Sequence, residues 1–166
     1  MTRSLIIAAL LACALTSTKD FTGTYEFVPA ASDNVDAAIK EATSSMSFIV
    51  KPVARSRLKK VNQPRPRLFV RQSADTISIA YDEKFPQVGP LDGNTVKWKN
   101  EEGEQFDLSI QHTEETLTQH FVAPDGERLN EFSQSASGDT LYLGVTIKSP
   151  RLKQPLHYRL VYHRKN

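Results

Sequence analysis

The amino-acid sequence predicts a mainly β protein: an up-and-down antiparallel β-barrel of about ten strands, with a helical lid inserted after strand one. Three observations lead there. From residue 67 onward apolar side chains recur with period two (Leu68 and Val70; Ile77, Ile79 and Tyr81; Phe106, Leu108 and Ile110; Leu141, Leu143, Val145 and Ile147), as strands with one buried face require. Turn signals separate these runs, namely Asp92-Gly93, Glu101-Glu102-Gly103, Pro124-Asp125-Gly126 and Ser137-Gly138-Asp139, so neighbours in sequence become neighbours in space. Residues 32–71 interrupt the pattern once, first with apolar residues at helical spacing and then with a basic tract. Closure of so many short strands into a barrel removes exposed edges, and a two-sheet sandwich is the alternative architecture.

The chain has 166 residues and a formal net charge of +2, with 39% hydrophobic and 24% charged residues. That is the size of one domain able to bury a substantial core, and the charge is too small to make nucleic acid the partner. Residues 1–18 read as an export signal peptide: Arg3 is the cationic start, residues 5–15 are all apolar, and small Thr16, Ser17 and Thr18 precede Lys19-Asp20. The apolar run is shorter than the ~20 residues that a membrane-spanning helix needs. Leu10-Leu11-Ala12-Cys13 offers a second reading, a lipoprotein anchored at Cys13. Cys13 is the only cysteine, so a mature domain over residues 19–166 has no disulfide and no thiol metal site. The expected location is periplasmic or extracellular.

Phe21 to Val28 forms the first strand, with Phe21, Tyr25 and Phe27 on one face and Gly23 leaving room there. Ser32 is the expected N-cap of a helix whose Val35, Ala38, Ile39, Ala42, Met46 and Ile49 make one apolar stripe. Pro52 opens a second helix with Val53, Leu58 and Val61 inward, and Asn62-Gln63-Pro64-Arg65-Pro66 ends it. Residues 51–71 hold eight Lys or Arg and no Asp or Glu, and Arg55, Arg57, Lys59 and Lys60 are expected to point outward as a patch for an anionic surface. Phe69 is the only aromatic residue in that tract, which argues against stacking on nucleic acid. Residues 84–88, limited by Pro86, suggest an edge strand or an irregular piece. In the eighth strand Leu129, Glu131 and Ser133 are assigned to the inner face. In the last strand Leu156, Tyr158, Leu160 and Tyr162 face inward, opposite His157, Arg159, Val161 and His163.

In this order of elements the chain resembles the calycins, the lipocalins and intracellular fatty-acid-binding proteins. Phe21-Thr22-Gly23-Thr24-Tyr25 is similar to the Gly-x-Trp/Tyr start of their first strand, and Val161-Tyr162-His163-Arg164-Lys165 to the close of their last. A helical lid directly after strand one is the fatty-acid-binding arrangement, and the leader makes the chain similar to bacterial secreted lipocalin-like proteins. The resemblance implies a small hydrophobic ligand. It departs from the family at the carboxylate clamp, an inward Arg and Tyr two residues apart on the last strand: with Tyr162 on the Tyr, Leu160 stands where the Arg belongs.

No catalytic motif is present: no Gly-x-Ser-x-Gly, no His-Glu-x-x-His, no phosphate loop and no cysteine cluster. His157 and His163 share a face but stand about 20 Å apart along a strand, too far for one metal. The sequence therefore predicts a non-enzyme without metal or cofactor, acting as a monomer. Tyr158, Leu160, Tyr162, Ile77, Ile79, Tyr81 and Phe106 are the expected ligand wall, with Glu131 as an inward acceptor. Whether Tyr81, Trp98, Phe106, Phe121, Tyr158 and Tyr162 line a cavity or fill the barrel stays open at this stage. The alternative function is an interaction module that docks its basic stretch, residues 51–71, on an anionic membrane or envelope polymer.

Overall fold

The computed structural model describes residues 18–165. The expected export signal peptide, apart from Thr18, and Cys13 lie outside them. Within this range the period-two segments form ten antiparallel strands: β1 (Gly23–Phe27), β2 (Arg67–Gln72), β3 (Thr76–Tyr81), β4 (Lys84–Pro90), β5 (Asp92–Lys99), β6 (Gln105–His112), β7 (Thr116–Ala123), β8 (Gly126–Gln134), β9 (Thr140–Lys148) and β10 (Leu156–Arg164). They make one sheet in the order β4-β3-β2-β1-β10-β9-β8-β7-β6-β5. Every ladder joins sequence neighbours except β1 with β10, the pairing that rolls the sheet into a nearly closed barrel. β4 and β5 are its two edges. The Trp98 side chain of β5 bridges them, its indole Nε1 donating to Pro86 O at 3.2 Å, and across the interior Gln119 Nε2 of β7 donates to Gln87 Oε1 of β4 at 3.0 Å.

Between β1 and β2 lie a 3-10 turn (Pro29–Ala31) and the helices α1 (Val35–Ala42) and α2 (Lys51–Val61). Asn34 caps α1, its Oδ1 accepting from Ala37 N at 3.0 Å. Ser32, the cap expected from sequence, instead binds strand β10: its Oγ donates to Val28 O and accepts from Val161 N. Asp33 adds a bond from Arg159 N at 2.7 Å, so the chain after the short β1 continues to cover the edge of β10. α1 stops at Ala42, seven residues before the end of the predicted stripe. Thr43, Ser44, Ser45 and Ser47 disfavour helix continuation, and the Thr43 hydroxyl returns to Ile39 O at 2.7 Å. Val35, Ile39 and Ala42 are buried, as their spacing requires.

α2 departs further from expectation. It has no buried residue; Leu58 is only half-buried, and Val53 and Val61, assigned inward from sequence, are 70% and 51% exposed.

The interior is divided along the strand axis. One half is packed solid around Phe21, Tyr25, Val70, Ile77, Ile110, Leu117, Phe132 and Leu141, all buried. The register places these near the β1–β10 closure and the far ends of β2, β3, β6 and β7. The other half, under α2, is open.

Candidate ligand cavity and its half-buried arginine

The open half holds a cavity of about 1240 Å³, with apolar wall residues Trp98, Phe106, Phe121, Leu143, Ile147 and Leu160. Three rings form its aromatic corner, with Trp98 5.8 Å from Phe106 and 5.5 Å from Phe121. The α2 residues Val53, Leu58 and Val61 lie over it.

Polar side chains cross this apolar wall in one continuous chain. Gln119 donates to Gln87 and accepts from Asn130 Nδ2 at 3.1 Å. Arg128 Nε donates to Asn130 Oδ1 at 2.8 Å, its Nη1 to Asn62 Oδ1 at 3.0 Å and its Nη2 to the Tyr158 hydroxyl at 3.4 Å. Tyr158 in turn donates to Asn62 Oδ1 at 2.9 Å. Gln119, Asn130 and Asn62 are almost fully buried. All of Arg128's partners are neutral. Among the described residues no carboxylate stands within ion-pair distance of it, although ten other ion pairs are present. A half-buried guanidinium without a counter-ion favours the arrival of an anion, because partial desolvation strengthens that attraction.

Two more donors stand nearby. The Tyr81 and Tyr162 hydroxyls are buried and have no partner among the described residues. Burial pushes Tyr81 up to about 12 even though Arg128 pulls the other way, and burial raises Tyr162 further. Both therefore remain protonated donors at neutral pH. A native structure seldom leaves buried hydroxyls unpaired, and here they belong to the wall of a cavity.

The sequence-derived wall residues divide accordingly. Tyr81, Phe106, Tyr158, Leu160 and Tyr162 line the cavity. Ile77 and Ile79 are buried in the packed half, where they neighbour Gln72 and Val70 across the ladder. Glu131 is placed opposite to expectation: it is exposed, on the outer face of β8. The reason is register. The tight turn at Pro124-Asp125 pairs Ala123 with Gly126, which sets Phe121 against Arg128, Gln119 against Asn130 and Leu117 against Phe132. The inner face of β7 thus fixes Arg128, Asn130 and Phe132 as inner on β8. Hydrophobicity alone was misleading there, because Leu129 and Phe132 have opposite parity. The inward arginine missing from the last strand stands on β8 instead, and Arg159 lies outside, over the Tyr142 ring.

The basic residues of α2 also have assigned partners. Arg57 pairs with Glu104 at 3.5 Å and Asp125 at 4.0 Å, Lys60 with Glu102, and Lys59 with Asp36 at 2.8 Å. Arg55 donates to Thr43 Oγ1 at 2.9 Å and Lys40 O at 3.3 Å. These contacts run from α2 to the β5–β6 and β7–β8 turns and to α1. Among the described residues no group of three or more His, Cys, Asp or Glu is placed to hold a metal ion.

No family model and no curated protein matches the sequence. Solved structures do match. A fatty-acid-binding protein of Schistosoma mansoni in complex with arachidonic acid superposes with a TM-score of 0.57 at 17% identity, over 88% of this chain and 96% of that one. The corresponding values are 0.57, 18%, 87% and 99% for a fatty-acid-binding protein from Drosophila melanogaster brain, and 0.57, 13%, 92% and 100% for lipid binding protein 8 of Caenorhabditis elegans. The chain shares the fold of these proteins, an antiparallel ten-stranded β-barrel with two helices between its first two strands. At these identities the likeness concerns architecture alone.

Proposed function

We propose that this protein is an exported, non-catalytic carrier that holds one small amphiphile, with its apolar body against Trp98, Phe106, Phe121 and Leu160 and an anionic head at Arg128. The observation that carries the reading is the half-buried Arg128 guanidinium, bonded only to neutral acceptors at the wall of an apolar cavity. The fold supports it, since the structural neighbours are described as fatty-acid- and lipid-binding proteins. The leader at residues 1–18 supports export, and the mass of the mature N-terminus distinguishes simple cleavage from acylation at Cys13. Native mass spectrometry of protein purified from its own source tests the carrier reading. A co-purifying small anion, lost in Arg128→Leu, is the expected result. An empty protein that also fails to bind added oleate would overturn it.

A second reading has its own support: docking of the lid on an anionic membrane. Phe48, Ile49 and Val50 are exposed in succession, Phe48 at 85%, and Lys51, Arg55 and Lys40 lie in the same part of the chain. Apolar insertion beside cations suits a lipid surface carrying negative charge. Binding to phosphatidylglycerol vesicles that weakens with salt and with Phe48→Ser is expected; binding unchanged when Arg55, Arg57, Lys59 and Lys60 are all Gln removes the basic stretch from this role.

A further inference from the structure

Asn62 ends the lid and enters the site at the same time. Its backbone N–H closes α2 on Leu58 O at 3.0 Å, and its side-chain Nδ2 donates to the same carbonyl at 2.8 Å. Its other amide atom, Oδ1, accepts from both Arg128 Nη1 and the Tyr158 hydroxyl. The side chain is only 3% exposed. Two donors converging on one oxygen, one of them a guanidinium, form the arrangement that binds a carboxylate or a similar oxyanion. Here the oxygen is that of a neutral amide, which satisfies the donors' geometry but not the charge.

The remaining attachments of α2 are weak. No residue of the helix is buried, and its ion pairs to Glu102, Glu104, Asp125 and Asp36 are all on the surface, where solvent and salt screen them. Among the described residues, the buried bond from Tyr158 to Asn62, with the part-buried bond from Arg128 beside it, is thus the polar link that ties the C-terminal end of the lid to the barrel wall.

We propose that Asn62 is a built-in competitor for the head-group position: an anionic head takes Arg128 and Tyr158 from Asn62 Oδ1, and this exchange frees the C-terminal end of α2. Ligand departure lets Asn62 return. Occupancy and lid attachment are then alternatives at one pair of donors. The inference rests on the reading of Arg128 as the head-group site. It makes Asn62 a positioning residue that discriminates anionic from neutral amphiphiles, because only a charged acceptor outcompetes the amide.

The test uses the full mature protein, oleate as the anionic probe and oleyl alcohol as its neutral counterpart. Asn62→Ala removes the competitor, so oleate binds about 3- to 10-fold tighter while oleyl alcohol is unchanged. Asn62→Asp places a permanent carboxylate on Arg128, so oleate binds at least about 10-fold weaker and oleyl alcohol again changes little. In the unaltered protein, hydrogen exchange at the C-terminal half of α2 speeds up when oleate is added. The idea is overturned if Asn62→Ala weakens oleate as Arg128→Leu does, since Asn62 is then part of the ligand's own wall. It is equally overturned if oleate slows exchange in α2. The two levels separate cleanly: if Arg128→Leu leaves oleate affinity intact, the head-group reading itself is what fails.

Discussion

Two arginines at opposite ends of this barrel each meet a tyrosine hydroxyl, and their surroundings differ in every other respect. Arg164, at the closed end, lies over the Tyr25 ring at 5.2 Å and donates to Tyr25 OH, Thr22 O and Gly138 O at 2.8–3.1 Å. Tyr25 completes its valence by donating to Phe21 O and accepting from Gln134. Even the neighbouring backbone is fitted to them: a Cβ on Gly23 would lie 3.2 Å from Arg164 Nη1 and 3.3 Å from the Tyr25 ring. Three of that guanidinium's donors end on fixed acceptors, two of them backbone carbonyls. Arg128 has side-chain amides and a phenol as partners, with two orphaned hydroxyls nearby. Backbone acceptors make a lock, because they cannot turn away. Side-chain acceptors that can rotate, next to unpaired donors and an open volume, make an exchangeable arrangement, and the proposed head-group site rests on that difference.

The largest expected effect tests the lock. Arg164→Ala should cost about 3 kcal/mol of stability, measured by urea unfolding, since it takes the guanidinium donor from Thr22 O and Gly138 O and the cation from the Tyr25 ring where β1 meets β10. Its effect on oleate affinity, measured on the folded fraction, should be small. Arg128→Leu should show the reverse: about 10- to 100-fold weaker oleate binding by calorimetry, with a smaller stability change. If both substitutions lowered stability alike and neither affected binding, the contrast between the two ends would collapse.

Tyr162→Phe sharpens the comparison at the cavity. It removes a buried hydroxyl with no partner and conserves the ring, so the ligand-free protein should gain about 1 kcal/mol in urea unfolding. The matching change at the closed end, Tyr25→Phe, removes a fully bonded hydroxyl and should destabilise. Equal signs for the two would contradict the proposed place of Tyr162 in the ligand site.

The surface ion pairs of α2 should matter for rates more than for stability. Raising NaCl from 0.05 to 0.5 M, roughly a threefold shorter Debye length, should speed oleate release by a few-fold in stopped-flow measurements, and Glu102→Gln with Glu104→Gln should reproduce that at low salt. The smallest effect belongs to the closed end. Burial holds His112 below its ordinary 6.5, so the unfolded chain takes up the proton first. Its contribution to stability is therefore complete above 6.5 and declines as pH falls below that value. His112→Phe should flatten the stability difference between pH 7.5 and pH 5.5 relative to the unaltered protein.

Much of the closed end was legible in the sequence. Phe21, Gly23 and Tyr25 share one parity, and the alternation in β3, β6, β9 and β10 names the inner residues directly. Arg128 was legible too, through a longer route. The Pro124-Asp125-Gly126 turn, with Phe121 already inward, carries the inner parity across to Arg128, whereas Leu129 on its own points to the wrong face and brings Glu131 with it. Asn62 gave no such signal. In sequence it is a residue of a breaker segment, and nothing local joins it to Arg128 or Tyr158, which lie 66 and 96 positions away.

The amino-acid order by itself determined the architecture: period-two segments of this length, cut by tight turns, pair with their neighbours, and one helical insertion is left over. The tertiary structure decided which half of the barrel is filled and which is open. It also decided that the cations of α2 face acidic turns, and that a lid residue occupies the acceptor position of a half-buried arginine. The physical reason is range. Alternation and turn chemistry act over a few residues, whereas cavity, counter-ion and competitor depend on side chains that meet only once the sheet has closed.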